Sequence, residues 1–189
     1  MPLGNFKQML QKMIEKMVEK SVLLNRIMLI DESVSVFMEK NENPWCSKIL
    51  GSLTHIGDGP VWILFYFCAL FYHNHPFIIV VYQLIAGEIL GLLIIIVIRY
   101  VVKRARPQPR KSSIIHWNNY SFPSQHAYRV ALAATIAGLW CAELTPALFF
   151  VAAIVSFSRI YLLKHYLSDV IAGASGGLVC ALILYNLLL

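Results

Sequence analysis

The sequence contains little charge. Asp, Glu, Lys and Arg together make up 14% of its 189 residues, whereas hydrophobic residues make up 58%. Soluble domains contain about 25% charged and about 45–50% apolar residues. A water-soluble fold of this size would lack the charged surface that it needs, and a disordered chain would be far less apolar. The mean hydropathy of +0.64 indicates an integral membrane protein.

Paired cysteines and acidic clusters are missing as well. At least three of the four cysteines lie in apolar stretches, where cysteine acts as a small hydrophobe, and no two of them form a CxxC pair. These features exclude a disulfide scaffold and argue against metal or redox chemistry at cysteine. No cluster of Asp and Glu suited to magnesium lies near the polar motifs described below. We therefore expect no metal, no cofactor and no nucleic-acid partner.

Long apolar runs occupy most of the chain. Because about 20 helical residues cross a hydrocarbon core of ~30 Å, five runs are candidate membrane spans: 48–72, 77–98, 127–144, 145–162 and 170–189. A sixth stretch, 21–38, is apolar on average but carries Arg26, Asp31 and Glu32. The sequence therefore predicts an all-α fold, an integral membrane bundle of five to six transmembrane helices.

The N-terminal residues have a different pattern. Over residues 5–20, apolar side chains recur with the 3.6-residue period of a helix, and four lysines fill its other face: Lys7, Lys12, Lys16 and Lys20. A helix of this kind lies in the plane of the membrane interface. We expect residues 1–30 to form this interfacial segment and residues 31–189 to form the membrane-embedded functional domain.

Alternation of the spans brings three polar clusters to one membrane face. If the run 77–98 ends on one side, the loop 99–125 lies on that side, and the next two helices cross the membrane and return. Residues near 99–106, 123–126 and 158–169 then lie at the same level. Ionisable groups at such positions are candidates for function by default.

The first cluster is basic and contains Arg99, Lys103, Arg104 and Arg106. Arg99 and Arg106 are two helical turns apart, so they share a face if the helix continues. Taken alone, the cluster is also explained as a basic collar at the end of a span, which would mark topology or attract anionic lipids. A phosphate site is the functional alternative.

The second cluster, Pro123-Ser124-Gln125-His126, opens a predicted helix. A proline followed by serine is a typical helix start, and an ordinary helix cap is the simplest interpretation. Free backbone amides and the positive end of the helix dipole also make such a terminus a site for an anion.

The third cluster consists of Ser158-Arg159, His165 and Asp169. His165 and Asp169 are four residues apart, so Asp169 can accept a hydrogen bond from the imidazole. A carboxylate behind a histidine fixes its tautomer and leaves the other ring nitrogen free as a nucleophile. An interfacial ion pair is the simpler alternative. Together, however, the clusters supply cations for a phosphoryl group, an oriented nucleophile and a second histidine for acid chemistry.

The order and spacing of these motifs resemble the type 2 phosphatidic acid phosphatase superfamily. The resemblance covers about residues 30–189 and implies a membrane phosphatase domain there. It rests on three motifs: Arg99-x6-Arg106-Pro107, Pro123-Ser124-x-His126, and Ser158-Arg159-x5-His165-x3-Asp169.

The resemblance implies a role for each residue. His165 would attack phosphorus and form a phosphohistidine, Asp169 would orient it, and His126 would protonate the leaving oxygen and then activate water. The groups that would hold the non-bridging oxygens are Arg99 or Lys103, Arg106, Ser124, a backbone amide near Gln125, and Arg159. Phosphoryl transfer depends mainly on positioning and charge stabilisation, which clustered arginines can supply. Because no cluster of Asp and Glu suited to magnesium lies near these motifs, we expect a metal-independent enzyme.

The sequence departs from the family pattern at two positions. Arg99 stands where the family usually has lysine, and it offers a planar fork in place of a point charge, with Lys103 nearby as an alternative cation. Gln125 stands where the family usually has glycine, which permits close backbone approach to an anion. The glutamine would narrow the pocket or contribute its own amide.

The resemblance implies a lipid phosphate as substrate, with the tail left in the bilayer. The candidates are lipid A 1-phosphate, phosphatidylglycerol phosphate, undecaprenyl diphosphate and phosphatidic acid. The extra bases Lys103, Arg104, Arg110 and Lys111 would suit a diphosphate or a bulky anionic head group. A lipid phosphotransferase with the same site, or a non-enzymatic transporter or binding module, are the alternatives. We expect a monomeric, multi-pass protein of the bacterial inner membrane whose site faces the periplasm.

Overall fold

All regular elements in the described part of the chain are helices. The structure is a computed structural model that describes residues 3–71, 75–108 and 116–187, so Arg110 and Lys111 lie outside the described residues. The seven α-helices in these ranges are α1 (Leu3–Lys40), α2 (Pro44–Leu53), α3 (Gly59–Leu70), α4 (His75–Val102), α5 (Gln125–Trp140), α6 (Thr145–Tyr161) and α7 (Leu167–Leu187). Short 3-10 turns lie at Thr54–Gly57, His116–Asn119 and Ala142–Leu144. The predicted all-α fold is confirmed.

Three helical stretches are long and apolar enough to cross a membrane: Phe77–Val102, Ala142–Tyr161 and Leu167–Leu187. Helices α2 and α3 make a fourth span if the pair, which bends by 45° between Gly57 and Gly59, crosses as one unit. Helix α5 has 16 residues, about 24 Å at 1.5 Å per residue, which is shorter than the other spans. The count of five to six spans stays a prediction.

Helix α5 is the centre of the bundle. It packs against α4, α6 and α7, and ten of its sixteen residues are buried. The helices around it instead expose large apolar side chains on their outer faces, among them Val97, Phe150 and Ile183. Because such side chains would be costly in water, the outer faces suit a bilayer. Most of helix α5 is instead covered by the other helices and does not face lipid.

Small residues let α7 approach α5 at backbone distance. A Cβ atom added at Gly173 would lie 2.2 Å from the carbonyl oxygen of Ser124, and one added at Gly177 would lie 2.2 Å from that of Tyr128. This spacing of small residues is typical of close helix packing in membranes. The backbone N–H of Ser124 also donates to the carbonyl oxygen of Asp169 at 3.0 Å. The contact therefore fixes the start of α5 against the start of α7.

Helix α1 reaches the bundle through a buried carboxylate. Asp31 is 1% exposed, and it accepts hydrogen bonds from the N–H of Ser168 at 2.9 Å and from Arg104 at 2.6 Å. Helix α1 is continuous from Leu3 to Lys40, so no break in secondary structure marks the predicted division between residues 30 and 31. That division, and the interfacial placement of the N-terminal segment, stay predictions.

Candidate active site

A cavity of about 760 Å³ lies where α3, the end of α4, the start of α5 and the α6–α7 connection meet. Its lining contains residues from all three polar clusters: Arg99, Arg106, Gln125, His126, Arg159 and His165. Segments separated by up to 66 positions in sequence thus converge at one site, from Arg99 to His165. The structure thus brings the three polar clusters together, as the alternation of the spans predicts.

His165 lies in the connection between α6 and α7, where it is 2% exposed. Its Nδ1 lies 3.5 Å from Oδ2 of Asp169, in the first turn of α7. Its Nε2 lies 3.2 Å from Nη1 of Arg106. A guanidinium can only donate, so Nε2 accepts and the ring proton resides on Nδ1, facing Asp169. The unprotonated nitrogen, Nε2, therefore faces the cations of the cavity and accepts from Arg106.

The environment of His165 keeps its ring neutral. Burial lowers the pKa of His165 well below its ordinary value of 6.5, and the positive charges of Arg106, Arg159 and Arg99 lower it further. A neutral imidazole is the form that can act as a nucleophile. The cations around the ring thus do two things: they disfavour its protonation, and they supply positive charge where an anionic group would sit.

Arg99 is the most deeply buried of these cations. It is 1% exposed, its Nη2 donates to the carbonyl oxygen of Pro123 at 3.0 Å, and its guanidinium lies 5.4 Å from the ring centroid of Trp117. Its Nη1 and the Oγ of Ser124 are buried and lack a hydrogen-bond partner among the described residues. Buried polar groups are normally hydrogen-bonded, so Nη1 of Arg99, a residue of the cavity lining, is available to donate to an oxygen of a ligand.

The other two arginines are held by the surrounding backbone and side chains. Arg106 donates to the carbonyl oxygens of Lys164 at 2.7 Å, Asn118 at 2.9 Å and Tyr120 at 3.2 Å. Arg159 donates to Oγ1 of Thr54 at 2.8 Å. These bonds fix both guanidinium groups in advance, so little reorganisation is needed when an anion binds.

Arg106 reaches the cavity by a different route from the one that helical spacing suggests. Helix α4 ends at Val102, and Lys103 follows with the left-handed φ of 50°. The helix does not continue to Arg106, which belongs to the loop that leaves it. Lys103 is exposed and is absent from the cavity lining. Of the two candidates for the first cationic position, the structure brings only Arg99 into the cavity.

Arg104, assigned by its sequence to a generally basic loop, has a specific place beside the site. Its Nη1 donates to Oδ1 of Asp169 at 2.6 Å, and its Nη2 donates to Oδ2 of Asp31 at 2.6 Å. The guanidinium therefore joins α1 to the carboxylate that faces His165. In the sequence, the only signal for Asp31 is an acid in an otherwise apolar stretch.

His126 lies in the first turn of α5 and lines the cavity next to Gln125. Its Nε2 lies 2.8 Å from Oδ1 of Asp58, a residue at the break between α2 and α3. The sequence places Asp58 near the site face beside Gly57 and favours an ordinary turn, with substrate contact as the alternative, but it does not indicate the pairing with His126. No group of three or more potential metal ligands occurs within residues 3–71, 75–108 and 116–187.

Comparison with known proteins identifies the family. Residues 76–189, more than half of the chain, match the family model of the PAP2 superfamily. The chain belongs to that superfamily. It is also similar to phosphatidylglycerophosphatase B of Bacillus subtilis (strain 168), at 24% identity over 170 residues that cover 82% of this chain and 81% of the relative.

Two solved structures share the fold. One is a transmembrane PAP2-type phosphatidylglycerolphosphate phosphatase from Bacillus subtilis, with a TM-score of 0.72, 21% identity and 86% coverage of both chains. The other is LpxE of Aquifex aeolicus, with a TM-score of 0.67, 19% identity, and coverage of 82% of this chain and 93% of that one. The chain is a PAP2-type membrane lipid phosphatase, and so a phosphoric ester hydrolase.

Proposed function

We propose that the chain hydrolyses the phosphomonoester or diphosphate of a membrane lipid through a phosphohistidine on His165, without a metal. One observation carries this proposal. The Nε2 of a buried, neutral His165 faces a cavity lined by Arg99, whose buried Nη1 has no hydrogen-bond partner among the described residues. A phosphoryl group placed there would meet a nucleophile and donors together, as phosphoryl transfer requires.

The reaction runs in two steps that together consume one water. In the first, Nε2 of His165 attacks phosphorus, the bond to the lipid oxygen breaks, and that oxygen takes a proton from His126. In the second, water gives a proton to His126 and attacks phosphorus, the P–N bond breaks, and phosphate leaves. Asp169 holds the proton-bearing side of His165 throughout.

The negative charge of the transferring group is met by fixed donors. Arg99, Arg106 and Arg159 surround the place where the non-bridging oxygens would lie. Ser124 and Gln125 stand at the start of α5, where the positive end of the helix dipole favours an anion. Fixed donors of this kind stabilise developing charge at little cost in reorganisation. Lys103, exposed and outside the cavity lining, has no part in this scheme.

The shape of the cavity supports a lipid as substrate. Besides the cations, the lining includes the apolar side chains of Trp62, Ile63 and Leu92, and it extends along α4 as far as Glu88. Glu88 precedes Arg99 by eleven residues, about 16 Å of helix at 1.5 Å per residue. We propose that the phosphate occupies the basic end while part of the tail follows the apolar wall.

A relative and a solved structure named as phosphatidylglycerolphosphate phosphatases support a phosphorylated lipid as substrate. We propose phosphatidylglycerol phosphate, lipid A 1-phosphate and undecaprenyl diphosphate as candidates, with phosphatidic acid as a simpler one. The bacterial relatives also support placement in a bacterial inner membrane. We propose that the site faces the periplasm and that the protein acts as a monomer.

Phosphate release by the purified protein in detergent tests the proposal. The four lipids would be offered in parallel, with EDTA present, to wild type, to His165→Ala and to His116→Ala, which replaces an exposed histidine outside the cavity lining. We expect release that survives EDTA, persists in His116→Ala and vanishes in His165→Ala. Loss of release with EDTA would contradict the metal-independent mechanism.

A lipid phosphotransferase would use the same site with an alcohol in place of water. Adding an alcohol acceptor to the assay and analysing the phosphorylated products distinguishes the two. If folded protein releases no phosphate but transfers the group to the alcohol, the hydrolase proposal is wrong and the transferase takes its place.

A further inference from the structure

Asp58 divides its carboxylate between two histidines. Its Oδ1 lies 2.8 Å from Nε2 of His126, and its Oδ2 lies 2.6 Å from Nδ1 of His55. Both histidines line the cavity, but the side chain of His126 is 18% exposed whereas that of His55 is 68% exposed. One carboxylate oxygen thus holds a mostly buried ring and the other an exposed ring at the cavity wall.

The segment that carries Asp58 is fixed by hydrogen bonds from three helices. Arg159 on α6 donates to Oγ1 of Thr54, and Trp62 on α3 donates to the carbonyl oxygen of Ile56. Arg129 on α5 donates to the carbonyl oxygen of Gly57. Arg129 is itself held by Glu88 of α4, with its Nε 2.9 Å from Oε2. Four bundle helices therefore determine where this carboxylate lies.

Gly57 allows the close approach of this segment to His126. A Cβ atom at position 57 would lie 2.7 Å from Cδ2 of His126, a distance that real Cβ atoms do not adopt. The ring would have to move away from Asp58 to accommodate a side chain. The pairing of His126 with Asp58 is thus built into the backbone of the segment as well as into its side-chain contacts.

We infer that Asp58 is the positioning residue of His126, holding the Nε2 proton of that ring so that Nδ1 serves the leaving oxygen and then the attacking water. This inference rests on the proposed function. With its Nε2–H donated to Asp58, the ring has one nitrogen left for chemistry. When Nδ1 also carries a proton, the carboxylate stabilises the resulting imidazolium. Nδ1 gives that proton to the lipid oxygen and regains one from water, so the pair ends unchanged.

The site then contains two histidine–carboxylate pairs with opposite orientation. Asp169 faces Nδ1 of His165 and leaves Nε2 to attack phosphorus. Asp58 faces Nε2 of His126 and leaves Nδ1 for proton transfer. The two carboxylates come from different parts of the chain, one from α7 and one from the break between α2 and α3.

Two substrates with different leaving groups test this role. Phosphatidic acid releases a poor alkoxide leaving group that needs a proton, whereas 4-nitrophenyl phosphate releases a phenolate that does not. For Asp58→Asn we expect steady-state phosphate release from phosphatidic acid to fall about 10–100-fold, because a positioned general acid contributes about 10²–10⁴-fold and a misoriented His126 keeps part of that. With 4-nitrophenyl phosphate we expect a burst of one nitrophenolate per protein and then slow turnover, because only the water step still needs His126.

A double-mutant cycle separates positioning from a general structural effect. If Asp58 acts through His126, Asp58→Asn should cost little activity in a His126→Asn background. Glu143→Gln, an exposed acid-to-amide change beyond the far end of α5, is the matched control and should keep wild-type rates.

Four outcomes would overturn the inference. Wild-type rates in Asp58→Asn, or an equal loss on both substrates without a burst, would show that Asp58 does not act through His126 while leaving the phosphatase proposal intact. Additive losses in the double mutant would do the same. If wild type itself releases no phosphate from any lipid, the proposed function fails, and this inference fails with it.

Discussion

Arg104 donates from Nη1 to Oδ1 of Asp169 at 2.6 Å, the carboxylate whose other oxygen faces His165. The second amino group of the same guanidinium donates to Asp31 on α1. Asp31 in turn accepts hydrogen bonds from the N–H of Ser168 and from its hydroxyl, at 2.9 Å and 2.5 Å. Through Asp31 and Arg104, helix α1 thus helps to determine where the carboxylate of Asp169 lies.

Removing the charge of Asp31 should destabilise the protein and weaken its activity. Breaking a buried ion pair costs about 3–5 kcal/mol, but Arg104 is 21% exposed and retains Asp169, so we expect Asp31→Asn to cost on the order of 1–3 kcal/mol. Thermal unfolding in detergent and phosphate release measure the two effects. Glu32→Gln, the exposed neighbour, should change neither, and an equal loss in both variants would contradict the role of Asp31.

Replacing Asp169 by Asn should remove most of the catalytic rate. The amide can donate to Nδ1 of His165 and would then favour the wrong tautomer, in which Nε2 carries the proton and cannot attack. A similar change in the serine protease triad lowers kcat about 10⁴-fold, and we expect a loss of about 10²–10⁴-fold here. The measurement is kcat for phosphate release, with trapping of the phosphorylated protein. A variant that still forms the phosphohistidine at the wild-type rate would contradict this prediction.

The motifs of the site could be predicted from sequence, whereas two of its carboxylates could not. Hydrophobic runs located the helices, and alternation of the spans brought Arg99, His126 and His165 together without knowledge of their contacts. Asp58 and Asp31 enter through pairings with residues 68 and 137 positions away, at His126 and Ser168. No local spacing indicates such pairings, because they are determined by how the helices pack.

Helix boundaries were predictable only where a residue type enforces them. Pro146 lies in the first turn of α6, which begins at Thr145, at the boundary between the predicted spans 127–144 and 145–162. Helix α4, by contrast, continues past the apolar run to Val102, so Arg99 lies in its last turn and faces the cavity. Hydropathy ends a span at the first charge, whereas a helix ends where its backbone turns, here at Lys103 with φ 50°.

The lowered pKa of His165 should appear in the pH dependence of kcat/KM. Attack requires the neutral ring, and burial together with the charges of Arg106 and Arg159 lowers the pKa of His165 well below 6.5. The rate should therefore fall with acid only below pH 6.5. In Arg159→Gln one of these charges is gone, so the pKa of His165 rises and the acid limb should move to higher pH. Comparing both proteins on one lipid cancels the ionisation of the substrate, and an unmoved limb would contradict the assignment.

The contact between α7 and α5 should tolerate a methyl group at one glycine and reject it at another. A Cβ at Gly173 would lie 2.2 Å from the Ser124 carbonyl oxygen, whereas one at Gly176 would lie 3.6 Å from the Tyr128 ring, an ordinary contact. We expect Gly173→Ala to cost about 1–3 kcal/mol of stability through overpacking and to lower activity by moving Ser124 from Asp169. Gly176→Ala is the matched control and should keep both. Thermal unfolding and phosphate release distinguish the two variants.

Arg99 should matter more for substrate binding than the nearby Lys103. Arg99 fixes itself by donating to the Pro123 carbonyl while its Nη1 stays available to a ligand. A lysine keeps the charge but cannot make both contacts in a planar fork, so we expect Arg99→Lys to raise KM about 3–10-fold, the loss of roughly one hydrogen bond, with a smaller change in kcat. Arg99→Ala removes the charge as well and should lose far more. Lys103→Ala, at an exposed position outside the cavity lining, should retain wild-type kinetics, and a loss there equal to that of Arg99→Ala would mean that the loop rearranges to bring Lys103 to the phosphate.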